Sequence, residues 1–88
     1  MNNLSKIKLY VQEGMGGFDS VTVSHKNGTI KFKSSYFYTH GQDSDSFAKK
    51  MLNQMNEAGY NMEVIDHSNH FNKWPKDSWF ECILKQKS

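Results

Sequence analysis

Between residues 20 and 34 the chain carries an Asn-Gly pair, Asn27-Gly28, set between two alternating runs. Val21, Val23 and His25 alternate with Thr22, Ser24 and Lys26 before it, and Ile30 and Phe32 alternate with Thr29, Lys31 and Lys33 after it. A two-residue hairpin turn needs positive φ at both central positions, which Asn and Gly tolerate, so this pair commits the chain to a β-hairpin. Such a turn pairs Lys26 with Thr29, His25 with Ile30, Val23 with Phe32 and Val21 with Ser34, which places the apolar members on one face. The second arm is expected to run on through Tyr36-Phe37-Tyr38 to about residue 39.

The remaining elements are read around that hairpin. Ile7, Leu9 and Val11 alternate with Lys6, Lys8, Tyr10 and Gln12, which predicts a strand over residues 5–12. The glycine-rich stretch 13–19 lacks the Lys-Ser/Thr ending of a phosphate-cradling loop and reads as a hairpin loop. Asp43 or Ser44 is placed to cap a helix over 44–58, with Phe47, Met51, Met55 and Ala58 at helical spacing and Gly59 as its C-terminal stop. The Asp43-x-Asp45 pair lacks the glycine and closing Glu of a calcium loop. Residues 62–67 read as a short strand, 68–77 as a loop holding Phe71 and Trp74, and 78–86 as the last strand. The order is β-β-β-α-β-β. It predicts one α+β domain spanning residues 1–88, a mostly antiparallel sheet with one helix packed on one face.

At 88 residues there is material for one core only. The single cysteine, Cys82, excludes a disulfide framework and any multi-cysteine metal site. No apolar run reaches the roughly 18 residues of a membrane span and no secretory pattern opens the chain, which predicts a soluble, cytoplasmic protein. The net charge is +2, and all eleven basic residues are Lys. Without Arg the bidentate guanine contact of sequence-specific DNA readers is missing.

Candidate chemistry is thin. His67 and His70 with Cys82 form a loose set, and His25 and His40 lie far off in sequence, so no tetrahedral zinc site is expected. Cys82 alternates with Phe80 and Leu84 and reads as a buried small hydrophobe, unsuited to pair with a histidine as a nucleophile. No strained serine turn or carboxylate pair appears. The expectation is a non-enzyme with no cofactor. Lys31, Lys33, Tyr36, Phe37 and Tyr38 interleave cations with aromatics, as single-strand binders do, and this is the alternative reading. Three strands followed by a helix, over residues 20–58, also resemble the sheet-and-helix DNA-binding domains of phage integrases.

A second hydrophobic parity carries the main functional expectation. One helix covers one sheet face, the one bearing Ile7, Leu9, Val11, Val21, Val23, Ile30, Phe32 and Tyr36. The opposite parity holds Tyr10, Phe37, Ile65, Trp79 and Ile83, interspersed with Lys. An apolar patch rimmed by charge marks an interface, and Trp and Tyr are its usual anchors. The expected partner-binding residues are Tyr10, Lys31, Lys33, Phe37 and Trp79. Cover by the 68–77 loop and a homodimer are the competing uses of the same face. In size and layout the chain resembles the small phage-encoded inhibitors of bacterial defence, the anti-CRISPR proteins among them. That resemblance implies a module in the host cytoplasm that sterically blocks a larger host protein or nucleoprotein complex, such as a CRISPR-associated or other defence complex. Many such inhibitors are acidic DNA mimics; the charge of +2 favours direct contact with protein instead.

Overall fold

A computed structural model describes residues 3–35 and 43–87. Helix α1 spans Asn3–Gly14, strand β1 Ser20–Ser24, strand β2 Thr29–Ser35, helix α2 Ser44–Glu57, strand β3 Met62–His70 and strand β4 Trp79–Gln86, with a short 3-10 turn over Pro75–Asp77. The four strands form one antiparallel sheet in the order β1-β2-β4-β3. The α+β class and the antiparallel sheet are as expected; the order is α-β-β-α-β-β.

The first element is therefore a helix where the alternation predicted a strand. Over a short window Ile7 and Val11 satisfy both periods, since four residues is both two strand repeats and about one helical turn. Leu4 breaks the tie. Leu4, Ile7 and Val11 recur at helical spacing and are buried together, while Leu9, which a strand would place beside Ile7, is 55% exposed. The intervening Lys, Leu and Gln are good helix formers.

The hairpin forms with its faces as predicted and its register shifted by two. Ser24 pairs with Thr29, Val23 with Ile30 and Val21 with Phe32, so His25-Lys26-Asn27-Gly28 make a four-residue loop. The Ser24 hydroxyl accepts from the Asn27 N–H, the Ser24 carbonyl accepts from the Gly28 N–H, and Gly28 takes φ 68°. These bonds close a longer loop than the two-residue turn, and a shift of two leaves every side chain on its face. β2 ends at Ser35; the extension expected through Tyr36-Phe37-Tyr38 lies outside the described residues.

α2 follows the sequence closely. Asp43 caps it, its carboxylate accepting from the Ser46 N–H at 2.9 Å. That bond is the main reason the Asp43 carboxyl stays below its ordinary range. At the other end Tyr60 N–H reaches the Met55 carbonyl and Gly59 N–H the Asn56 carbonyl, with Gly59 at φ 94°, the left-handed closure that glycine permits. Ala58 is exposed, while Phe47, Ala48, Met51 and Met55 are buried.

Both helices lie on one side of the sheet. α2 lies over β3 and β4. α1 contributes Leu4, Ile7 and Val11 to the same cluster, which takes Ile30, Phe32, Met62, Phe80, Cys82 and Leu84 from the strands. The stretch between α1 and β1, read as a hairpin loop, connects a helix to a strand. Gln54 of α2 ties it down, donating to the Gly16 carbonyl at 3.0 Å and accepting from the Gly16 N–H at 3.4 Å.

The helical reading of residues 3–14 separates Ile7 from Leu9. Ile7→Ala should cost about 2–5 kcal/mol by emptying a core site, and Phe32→Ala about 3–5 kcal/mol. Leu9→Lys should stay within about 0.5 kcal/mol, as exposed substitutions do. Urea unfolding curves for the three variants check this. Equal losses at positions 7 and 9 would restore the strand.

Candidate protein-binding face

β3 carries one residue more than β4 opposite it. Val64 pairs with Leu84 and Asp66 with Ile83, which leaves Ile65 as the extra residue of a β-bulge. Before the bulge Met62 and Val64 face the helices. After it the facing parity changes, and His67 and Asn69 lie opposite Cys82 and Phe80 on the helix side. There they hold the start of α2: the Asn69 side-chain oxygen accepts from the Ser44 N–H at 2.7 Å, and His67 Nδ1 lies 2.8 Å from the Ser44 hydroxyl. Asp45 lies 3.8 Å from His67 Nε2.

The same parity change sends Ser68 and His70 to the other face, which no helix covers among the described residues. Cross-strand rows there run Thr22, Lys31, Ile83, Asp66 and Ser20, Lys33, Glu81, Ser68. Trp79 pairs with His70, and their rings stack at 4.6 Å and 8°. The Lys33 ammonium lies 4.5 Å from the Trp79 ring centre. Lys33 and His70 come from the strands flanking β4 on opposite sides, so the indole is held between them. Its N–H donates to Glu81 Oε1 at 2.9 Å. Glu81 Oε2 lies 3.5 Å from Lys31 Nζ and 3.4 Å from His70 Nε2, and the Ser68 hydroxyl stands 3.0 Å from that same ring nitrogen.

Glu81 joins these groups. Its side chain is 19% exposed. Burial raises its carboxyl, but the Trp79 N–H, the Lys31 ammonium and His70 outweigh burial and hold it below its ordinary value of 4.5. Beside the cluster a shallow groove of about 440 Å³ is lined by Asp19, Ser20, Lys33, Ser35, Lys76, Asp77, Ser78 and Trp79. The segment after β3 borders this face without closing it. Lys76, Asp77 and Ser78 of that segment line the groove, while Phe71 packs edge-on against Phe80 on the helix side of the sheet and Trp74 is 57% exposed.

Of the expected partner-binding residues, Lys31, Lys33 and Trp79 come together here. Tyr10 does not: it sits on α1, tilted against Tyr60 at 5.4 Å, with its hydroxyl donating to the Gln54 carbonyl. Tyr10 moved because its element is a helix. Phe37 lies outside the described residues. Ile65, assigned to the face by parity, is the bulge residue and is 49% exposed. His70, Ser68 and Glu81 were missed. The sequence pattern places His70 and Ser68 in a loop, and only the shared parity of Trp79 and Glu81 points to the carboxylate.

His67 and His70 stand on opposite faces, and no group of three His, Cys, Asp or Glu among the described residues is arranged to hold a metal ion. Cys82 is buried in the core, which pushes its thiol up to about 12. No helix among the described residues is long and apolar enough to cross a membrane. No known family model matches the chain, and no curated protein or solved structure shows significant similarity to it.

The depressed Glu81 carboxyl gives a signed pH dependence. The folded state holds the ionised form more strongly than the unfolded chain does, so the contribution is full above the unfolded value and is lost as pH falls through the folded one. Glu81→Gln should therefore flatten the decline in thermal midpoint below about pH 4.5, the ordinary glutamate range. Midpoints measured from pH 2 to 7 check this. An unchanged slope would mean that Glu81 does not hold these partners.

Proposed function

We propose that the chain is a non-catalytic protein-binding module whose helix-free sheet face, centred on Trp79, meets the partner. The observation that carries this reading is the bracing of Trp79. The indole is fixed between Lys33 and His70 and bonded to Glu81, on a face that no helix covers among the described residues. A large aromatic already held in place loses little freedom on binding, which is how an anchor contributes affinity. Lys31, Lys33 and Lys85 supply cations, and Glu63, Asp66 and Glu81 interleave anions. That mixture suits a protein surface better than a phosphate backbone, which calls for uninterrupted positive charge. Burial of the one thiol removes the obvious nucleophile. With the resemblance in size and layout to small phage inhibitors of bacterial defence, the reading extends to steric blocking of a larger host protein or nucleoprotein complex.

The test is affinity capture with the immobilised chain from bacterial lysate, followed by titration of the captured protein. Trp79→Ala should weaken binding by about 2 kcal/mol or more, roughly 30-fold, while the variant keeps its native circular dichroism. Lys31→Glu should slow association and change its salt dependence. A partner held equally by Trp79→Ala would overturn the assignment of the face. So would tight binding of a single-stranded oligonucleotide that falls steeply above about 50 mM salt, the signature of phosphate contacts.

A further inference from the structure

β1 lies at the end of the sheet, so among the described residues its outer backbone edge has no strand beside it. An antiparallel strand turns the N–H and C=O of alternate residues to each side, so this edge presents a row of main-chain donors and acceptors. The two ends of the sheet are protected very differently. β3, at the far end, carries the bulge at Ile65 and the acidic side chains of Glu63 and Asp66, features that blunt strand addition. β1 has neither. Its five residues, Ser20-Val21-Thr22-Val23-Ser24, hold no charge, no proline and no bulge within the paired run.

The β1 sequence is also palindromic. When two copies align antiparallel about Thr22, Ser20 meets Ser24, Val21 meets Val23 and Thr22 meets Thr22. Each pair joins residues of one kind, and Thr–Thr and β-branched pairs are favourable across strands. The flanks agree in charge. Just beyond the paired residues, Asp19 of one copy, whose carboxylate accepts from its own Ser35 N–H, comes near the turn that carries Lys26 in the other, at both ends of the pairing. The two-fold axis stands perpendicular to the sheet, so Val21 and Val23 stay on the helix side in both copies. The two helix-free faces join into one surface.

We infer that β1 pairs with β1 of a second copy, extending the four-stranded sheet into a symmetric eight-stranded one. A strand pair this short buries much less than the roughly 800 Å² per partner of a stable interface, so the association is weak and depends on concentration. The inference stands independently of the proposed partner face.

Sedimentation velocity over about 10 μM to 1 mM, the range of weak association, tests it. The weight-average mass of the native chain should rise from one chain toward two. Thr22 is exposed, so Thr22→Lys and Thr22→Glu should leave the thermal midpoint nearly unchanged. Each places like charges across the axis, and each alone should stay monomeric. An equimolar mixture of the two should regain dimer, because the charges are then opposite. A native chain that remains monomeric at the highest concentration overturns the inference. Dimerisation of Thr22→Lys equal to that of the native chain would also overturn it.

Discussion

An antiparallel strand sends alternate side chains to opposite faces, and a bulge is where the sequence changes which set goes where. In β3 that change happens at Ile65, and the polar groups around Ser44 and around Trp79 both depend on it. Met62 and Val64 meet the helices upstream of it. Downstream, His67 and Asn69 take over that side and hold Ser44 at the start of α2. Ser68 and His70 go to the other side and meet Glu81 and Trp79. Strict alternation along residues 62–70 would reverse both sets, leaving α2 without its polar anchor and Trp79 without its stacking partner.

The two faces then follow different chemistry. On the helix side α1 and α2 seal an apolar core in which Cys82 is inert. The other side is a polar network organised by one carboxylate. Glu81 accepts from the Trp79 indole and draws in Lys31 and His70, so a single group fixes the orientation of the ring and the position of nearby charge. Such a network is held by electrostatics and hydrogen bonds on a half-open surface, and it orders side chains more than it adds stability.

Much of this was legible in the sequence. Asn27-Gly28 announced the hairpin and its faces, because hydrophobic parity survives a register shift of two. Asp43, the Phe47–Met51–Met55 spacing and Gly59 announced α2. Phe80, Cys82 and Leu84 were read as one buried row, and the opposite parity put Trp79 with Lys31 and Lys33. What was not legible has physical causes. Ile7 and Val11 fit two periods, and only Leu4, outside the expected strand, decided for the helix, which took Tyr10 away from the sheet. The bulge left no local mark, since Ile65 looks like any strand residue. His70 therefore appeared to belong to a loop, and its stacking on Trp79 went unseen.

Deletion of Ile65 tests the two-faced account most directly. Removing a residue from the middle of a regular strand flips every side chain beyond it to the wrong face. Here the deletion removes the extra residue of the bulge and keeps Val64 opposite Leu84 and Asp66 opposite Ile83. The variant should fold, and its Trp79 indole N–H resonance, set by the bond to Glu81 and the stacked His70 ring, should stay close to its native position in an NMR spectrum. Unfolding of the deletion variant, or loss of that resonance to the free-indole position, would contradict the account.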